Sequence, residues 1–378
     1  MLHRHYPGET LGVIGDSIAM ALVAQAAGKL GYRVASLVKQ QINPVRQFAS
    51  WQTVTEAYDE SALRYFAGRV DFVVADTHLL TNRDYQLLSQ LTEVTLSEDL
   101  QAISTDRLIE KAYLDEQRCL VAPFSMVTSL EDVKEAVEYI GFPCFLKTTQ
   151  RHLPGSKDHL LMYSEEDYAA AQEKLALSTC VLEAWIPAEK EVSITVVRNE
   201  RGELLIYPIF EVVFHSERGG KQVRYPANVG LEVEREVKRV GQFLAEQLDL
   251  IGALTVECFV TSAGVVYINE ARVGLDDEAV FSLGSMSLSH FEALVRAVAG
   301  LALPELLPLS AAAIALPVEA LNKEHVLTQF MLRTDWGFAL FNPVGNDADY
   351  LTGQVIVTGD TLKNCQRQIE ITELVDGI

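Results

Sequence analysis

The sequence predicts an α/β protein, and three features of its pattern lead to that prediction. Short apolar runs that end near glycine alternate with helical segments over residues 11–75, as in a doubly wound parallel sheet. From about residue 180, segments that alternate apolar and polar residues predict antiparallel strands. The 378 residues exceed one ordinary core, so we expect several domains that share a cleft.

Residues 1–103 are predicted to form the first domain, an α/β unit with a doubly wound parallel sheet. A glycine at position 31 is a typical helix end, and it separates the first helix from the second strand. The predicted elements are a strand at 11–15, a helix at 18–30, a strand at 32–38, a helix at 60–66 and a strand at 70–75.

Residues 104–305 are predicted to form a central two-lobed domain with a lid at about 125–183, and residues 306–378 a small β-rich terminal domain. The first helix of the central domain is expected at 104–115, with Ser104, Thr105 and Asp106 offering capping side chains. Further helices are expected at 130–139, 165–175, 233–248 and 291–299. Strands are expected at 144–149, 160–163, 180–184, 191–197, 204–213, 254–260 and 265–268.

The composition excludes several classes of protein. The formal net charge is -21 and no lysine or arginine cluster occurs, so a nucleic-acid partner is not expected. No apolar stretch reaches the length of about 18 residues that a membrane span needs. The five cysteines are dispersed and form no CxxC pair, which predicts neither disulfides nor zinc and fits a reducing cytoplasm.

The strongest chemical signal is a pair of acids on a predicted hairpin, Glu257 and Glu270. If Val260 pairs with Val265, Glu257 lies opposite Ile268, and Glu270 is a diagonal neighbour on the same face, roughly 7 Å away. Two such carboxylates repel unless a cation lies between them, and Mg²⁺ prefers hard oxygen ligands. The pair therefore predicts a metal site, although a solvated hairpin face is an alternative.

Three upstream residues add a nucleotide-like pattern. Lys147 ends an apolar strand and can place its ammonium against phosphates, or simply lie in water at a strand end. Glu183 belongs to an apolar segment that runs to Ile186 and can contact an adenine ring. Eight residues after Glu183, the carboxylate of Glu191 can accept hydrogen bonds from ribose hydroxyls. Followed by the acid pair, this order predicts a site for a nucleotide and a divalent cation.

With these features the chain resembles the ATP-grasp carboxylate–amine ligases, and within them the 5-(carboxyamino)imidazole ribonucleotide synthases. The resemblance covers nearly the whole chain. Besides the residues above, the segments that carry it are QAAGKLGYRV at 25–34, PVRQFA at 44–49, Asp106-Arg107-Leu108 with Lys111, GFP at 141–143, Tyr207-Pro208, ECFV at 257–260, Asn269-Glu270 and SHFE at 289–292.

The resemblance implies an ATP-grasp fold of three subdomains, ATP with Mg²⁺ (or Mn²⁺) and a homodimer. It assigns Arg107, Lys147, Glu183, Ile186, Glu191 and Asn269 to the nucleotide and Glu257 and Glu270 to the metal. It also implies the reaction: bicarbonate is phosphorylated to carboxyphosphate, and the amine of aminoimidazole ribonucleotide takes up the carboxyl group. Metal ions and cationic side chains neutralise the transferring phosphoryl group.

Four segments depart from the family pattern. The early glycine-rich loop, GGGQLGRM in the family, reads Gly15-Asp16-Ser17-Ile18-Ala19-Met20, so Asp16 places an anion near a helix N-terminus that would otherwise hold an anionic substrate. The lid loop GYDGKGQ reads HLPGSKD at 152–158. We expect Lys157 to replace the missing cation of that loop.

The other two departures lie further along the chain. The segment PRxHNSGH becomes VGLDDEAV at 273–280, with Asp276, Asp277 and Glu278 in place of donors. Arg272, which stands one position before that segment, is the cation expected to act on the reacting groups. The basic segment RPGRKxGH becomes DYLTGQ at 349–354.

The family residues that are missing from this chain are mainly those expected to bind the substrate, and the residues expected to bind ATP are better preserved. A charge-assisted hydrogen bond contributes roughly 1.5–3 kcal/mol, so two or three lost phosphate anchors reduce affinity by about 10³-fold or more. Three interpretations stay open: a ligase for the family's own or a related substrate, an ATP-grasp ligase for an unrelated acceptor, and a nucleotide-binding paralogue without turnover.

Overall fold

The computed structural model describes residues 4–77, 79–151, 159–215, 220–275, 278–342, 344 and 348–375. Within these ranges the chain forms three β-sheets with helices packed around them. No helix in the described ranges combines the length and apolarity that crossing a membrane requires.

The first sheet is parallel, with the strand order β3-β2-β1-β4-β5. Four of the five β1 residues are buried, because helices cover both faces of a doubly wound sheet. The strand order reverses direction beside β1, which makes its carboxyl end a topological switch point. The elements are β1 (Thr10–Ile14), α1 (Ile18–Lys29), β2 (Arg33–Val38), β3 (Trp51–Val54), α2 (Glu60–Ala67), β4 (Phe72–Ala75), α3 (Asn82–Ser89), β5 (Glu93–Val94) and α4 (Glu98–Thr105).

The second sheet, which we call the lid sheet, is antiparallel with the order β6-β9-β7-β8. In β7, Cys144, Leu146 and Thr148 are buried against the lid helices, so Phe145 and Lys147 point to the other face. The elements are α5 (Arg107–Glu116), β6 (Phe124–Val127), α6 (Leu130–Ile140), β7 (Cys144–Thr148), β8 (His159–Met162), α7 (Tyr168–Leu175) and β9 (Cys180–Ala184).

The third and largest sheet has the order β15-β14-β10-β12-β13-β16-β18-β17, with β11 paired to β10. Its strands are β10 (Ala188–Arg198), β11 (Leu204–Ile206), β12 (Phe210–His215), β13 (Gly220–Tyr225), β14 (Gly252–Thr261), β15 (Val266–Val273), β16 (Ala312–Pro317), β17 (Gly337–Phe341) and β18 (Thr352–Gly359). The helices of this part are α8 (Leu231–Gln247), α9 (Ser282–Ser285), α10 (His290–Val298), α11 (Lys323–Leu332) and α12 (Leu362–Ile371).

The α/β class and the doubly wound first sheet are confirmed. The helix predicted at 104–115 is wrong at its start. Ser104 and Thr105 end α4, and the Ser104 hydroxyl donates to the Leu100 carbonyl within that helix. Asp106 alone caps α5, because its carboxylate accepts from the amides of Leu108 and Ile109.

The terminal region contains more than the predicted strands. Its strand β16 pairs with β13, so the region extends the largest sheet, and α11 and α12 accompany its strands. The domain boundaries at 103 and 305 stay predictions.

Candidate active site

A cleft of about 930 Å³ is lined by residues from the lid sheet, the largest sheet and the carboxyl edge of the parallel sheet. Nine of the ten predicted site residues line it: Arg107, Lys147, Glu183, Ile186, Glu191, Glu257, Asn269, Glu270 and Arg272. The tenth, Lys157, lies outside the described residues. The fold therefore brings together residues that are far apart in sequence, and their individual roles stay predictions.

Glu183 lies at the centre of a buried charge cluster on the lid side. Its carboxylate accepts a hydrogen bond from the Lys147 ammonium at 2.9 Å, and the Lys111 ammonium lies 3.5 Å away. Burial raises the pKa of Glu183, but Lys111 and Lys147 together hold that pKa below its ordinary value. The carboxylate is therefore ionised at neutral pH and fixes the lysine that faces the cleft.

The segment that follows Glu183 offers a backbone edge to the cleft. The amides of Ala184 and Trp185 donate to the carbonyls of Pro123 and Pro143 at 2.9 and 3.2 Å. In contrast, the amide of Ile186 donates to no carbonyl of the described residues. The apolar residues that line the cleft include Ala122, Phe145, Phe259 and Ile268. An apolar slot beside a backbone donor suits a flat heteroaromatic ring.

The two acids of the hairpin face each other directly, so the predicted register is wrong. Val260 pairs with Val266 and Cys258 with Ile268, and a β-bulge then places Glu270 opposite Glu257. Asn269 is the extra residue of the bulge, and its carbonyl accepts a hydrogen bond from the Lys111 ammonium at 2.8 Å. The bulge brings the carboxylates nearer than a diagonal pair would be.

Cationic side chains surround the acid pair. Arg272 forms ion pairs with both Glu257 and Glu270, and its Nε lies 2.7 Å from Glu270 Oε1. The Nε of Arg151 lies 3.4 Å from the same oxygen. Burial raises the pKa of Glu270, but Arg151, Arg272 and Arg107 together hold that pKa far below its ordinary value. The carboxylate is therefore ionised at neutral pH.

The two carboxylates fit a metal ion that takes its remaining ligands from water or substrate. The described residues contain no group of three or more His, Cys, Asp or Glu side chains that could hold a metal. Two facing carboxylates suit Mg²⁺, which is commonly bound by one or two carboxylates together with waters and substrate phosphates. The side-chain amide of Asn269 donates a hydrogen bond to the Glu257 carboxylate at 3.2 Å and orients it.

Sequence reasoning missed the buried pair of Glu110 and Arg151. Arg151 donates to the Glu110 carboxylate at 2.5 Å and to the Ser104 carbonyl at 2.8 Å. The other oxygen of Glu110 accepts from the amide of Ala271, next to Glu270. A signal was present: Arg107, Glu110, Lys111 and Leu114 follow the spacing of a buried helix face, so three charged residues occupy positions that are usually apolar.

One end of the cleft lies at the carboxyl edge of the parallel sheet, where Ser17, Ile18, Ala19, Asp76 and Leu79 line it. Within the described part of residues 1–103, no lysine or arginine lines the cleft.

In the segment 15–20, which replaces the family's glycine-rich loop, Gly15 and Ser17 determine the local backbone. The Ser17 hydroxyl caps α1 by accepting from the Met20 amide. Gly15 has φ +127°, and a Cβ there would approach Asp76 and Leu79 to 3.2 Å, so glycine is required. Asp16 is not among the residues that line the cleft. Asp276 and Asp277 lie outside the described residues.

A lid sheet that carries a lysine, facing a larger sheet that carries a carboxylate pair, defines an ATP-grasp ligase. The family model for the ATP-grasp domain matches residues 112–291. The N5-carboxyaminoimidazole ribonucleotide synthase of Bacillus subtilis (strain 168) is 30% identical over 301 residues, which cover 79% of this chain and 78% of the relative. The chain belongs to the N5-carboxyaminoimidazole ribonucleotide synthase family.

Solved structures agree with this assignment. The ADP complex of an N5-carboxyaminoimidazole ribonucleotide synthetase matches with a TM-score of 0.87 at 26% identity and covers 98% of both chains. The Aspergillus clavatus enzyme, in complex with ADP and 5-aminoimidazole ribonucleotide, shares the fold with a TM-score of 0.84 at 18% identity and covers 97% of this chain and 98% of its own. The resemblance and the fold are confirmed, and the chain is an ATP-dependent ligase.

Proposed function

We propose that this ligase uses ATP to activate bicarbonate and transfers the carboxyl group to an amine, with aminoimidazole ribonucleotide as the first candidate acceptor. One observation carries the proposal: a single cleft is lined by the Lys147–Glu183 pair, by Glu191 and by the facing carboxylates of Glu257 and Glu270. The names of the relatives supply the candidate substrates.

In the proposed complex the nucleotide extends from the lid sheet toward the acid pair. The adenine lies in the apolar slot and accepts from the Ile186 amide, and Glu191 accepts from the ribose hydroxyls. Lys147 and Arg107 face the phosphates, and the Asn269 amide lies beside them. Arg107 is 9% exposed and donates to the Thr148 carbonyl at 3.0 Å, so its guanidinium is held at the cleft wall.

We further propose that Glu257 and Glu270 bind Mg²⁺, for which Mn²⁺ can substitute. When bound, the cation would neutralise charge on the β- and γ-phosphates. The protein's own contribution is to hold the two carboxylates face to face, with Asn269 and Arg151 orienting them.

A smaller cavity of about 110 Å³ adjoins Glu257 of the acid pair and suits bicarbonate in size. Lys221, Arg272 and Ser193 line it, together with the acids Glu191 and Glu257. A bicarbonate oxygen attacks the γ-phosphorus, the bond to the β-phosphate oxygen breaks, and ADP leaves. The amine nitrogen then attacks the carboxyl carbon, the bond from that carbon to the phosphate oxygen breaks, and the nitrogen loses a proton.

A different amine acceptor is the second candidate. We place the acceptor at the end of the cleft beside the parallel sheet, where the described residues of the first domain that line the cleft include Asp76 but no lysine or arginine to bind a substrate phosphate. Asp276, Asp277 and Glu278 follow in sequence where donors to the ribonucleotide are expected.

The decisive experiment measures ADP release by the full chain with ATP and Mg²⁺, with and without bicarbonate, and with and without aminoimidazole ribonucleotide. We expect release that depends on bicarbonate and rises when the ribonucleotide is added. Bicarbonate-dependent release that the ribonucleotide does not stimulate removes this acceptor and favours the second candidate. If release does not depend on bicarbonate, the carboxylation proposal is wrong.

Two further expectations belong to the proposal. The family resemblance implies a homodimer, which light scattering of the purified protein tests. All five cysteines are free, which agrees with the expected cytoplasmic location.

A further inference from the structure

Arg272 forms ion pairs with both carboxylates that are proposed to bind metal. Its guanidinium contacts Glu257 through one terminal nitrogen and Glu270 through Nε, the latter at 2.7 Å. The side chains are 26%, 17% and 16% exposed for Arg272, Glu257 and Glu270, so the cluster is partly shielded from water. Such charge-assisted hydrogen bonds use the same oxygen lone pairs that a divalent cation needs.

The strand geometry explains the bridge. Arg272 follows Glu270 by two residues on β15 and therefore points to the same face of the sheet. The bulge at Asn269 sets Glu270 opposite Glu257, and Arg272 faces Thr255, the next residue of β14 on that face. The arginine side chain thus lies one step along the sheet from both acids.

The second arginine near the acids is held differently. Arg151 is 2% exposed at its side chain, and Glu110 and the Ser104 carbonyl bind its terminal nitrogens. Only its Nε faces Glu270, at 3.4 Å. Arg151 is therefore a fixed part of the site, whereas Arg272 lines both the large cleft and the small cavity.

We infer that Arg272 competes with the divalent cation for Glu257 and Glu270. A guanidinium that bridges the two carboxylates and a metal ion that binds them exclude each other. The apparent metal affinity is therefore lowered by the fraction of molecules in which the bridge is formed. Phosphates of the nucleotide offer the displaced guanidinium another partner, so nucleotide and metal favour each other's binding. This inference rests on the proposed metal role of the acid pair.

The test is a titration of the full chain with Mn²⁺ in the absence of nucleotide. Electron paramagnetic resonance measures the free ion and therefore gives the amount bound. We expect Arg272→Met to bind Mn²⁺ at least tenfold more tightly than the unsubstituted chain, a difference of about 1.4 kcal/mol. Arg272→Lys keeps one charge but cannot contact both acids as a planar fork, so its affinity should fall between the two. Circular dichroism and thermal unfolding verify the fold of each variant.

Lys147→Met is the matched control, because it removes a cleft-lining cation that contacts Glu183 instead of the acid pair. An equal gain in Mn²⁺ affinity from Lys147→Met would reveal a general charge effect and overturn the competition. Unchanged or weaker binding to Arg272→Met, with Glu270→Gln still reducing Mn²⁺ affinity, overturns the inference and leaves the metal site intact. If Glu270→Gln has no effect on Mn²⁺ affinity in any background, the proposed metal site itself fails.

Discussion

The proposed nucleotide side of the cleft, formed by the lid sheet and the largest sheet, differs in its charges from the proposed acceptor side at the carboxyl edge of the parallel sheet. On the nucleotide side, acids and bases form ion pairs: Lys147 with Glu183, Arg151 with Glu110, and Arg272 with Glu257 and Glu270. On the acceptor side, Asp76 is the charged residue among the lining positions of the first sheet that the structure describes. The comparison teaches that the ion pairs of the cleft are concentrated where the lid sheet and the largest sheet meet, away from the edge of the first sheet.

The largest effect should come from Glu270→Ala on the nucleotide side. Loss of one of two facing carboxylates removes a proposed metal ligand and leaves the Arg151 Nε without its acid partner. We expect kcat/KM for ATP to fall by about 10³-fold or more. ADP release measures the change, and Glu232→Ala on the exposed part of α8 serves as control. Normal ATP hydrolysis by Glu270→Ala would remove the metal assignment.

A second substitution tests the buried support of that side. Arg151→Met leaves the Glu110 carboxylate buried without its cation, which should lower the free energy of unfolding by about 3–5 kcal/mol. Urea unfolding measures the loss. Arg239→Ala, which breaks an exposed helix pair, should change stability by about 1 kcal/mol or less. Similar losses in the two variants would show that burial of the pair is irrelevant.

The acceptor side is tested by Asp76→Ala. Removing this acid relieves repulsion of a phosphate, so we expect the KM for aminoimidazole ribonucleotide to fall by about tenfold while the KM for ATP stays constant. Steady-state kinetics with each substrate varied separately measure both values. A higher KM for the ribonucleotide would indicate that Asp76 binds the acceptor instead of repelling it.

Lys157 offers a smaller test of the nucleotide side. If it replaces the cation of the family's lid loop, Lys157→Ala should raise the KM for ATP by about tenfold or less, because one charge-assisted contact is lost. An unchanged KM for ATP counts against the assignment. Lys134→Ala, on the lid helix α6, is the control.

The smallest effect concerns pH. The pKa of Glu183 is lowered in the folded protein, against burial, by Lys111 and Lys147. Its contribution to stability is therefore present above the ordinary value of 4.5 and is lost as the pH falls through the lower folded value. Glu183→Gln should lower the free energy of unfolding more at pH 7 than at pH 3.5. An equal loss at both values would show that the charge of Glu183 is not stabilising.

Local pattern predicted most elements of the fold, since buried strands and amphipathic helices have distinct periods. The strand predicted at 180–184 coincides with β9, and the helix predicted at 233–248 differs from α8 by two residues at its start. The start of α5 was missed because α4 continues to Thr105, directly before the capping Asp106, and capping side chains alone do not show which of three adjacent candidates ends a helix.

The site was predictable as a set of residue types in a fixed order, but its contacts were not. The register of the acid hairpin depends on a bulge at Asn269, and no sequence pattern predicts that bulge. Because of it, Glu257 and Glu270 face each other instead of being diagonal neighbours. Glu110 and Arg151 were missed because their meeting depends on how α5 packs beside the lid sheet and β15.

The continuity of the largest sheet limits how the chain can be shortened. Because β16 supplies the partner of β13, a chain ended at residue 305 would present the edge of β13, with its unpaired amides and carbonyls, to solvent. Val223 and Tyr225, now buried, border that edge. We therefore expect a chain ended at residue 305 to self-associate by strand addition at β13. In the full chain, β16 covers this edge and so protects the protein from aggregation.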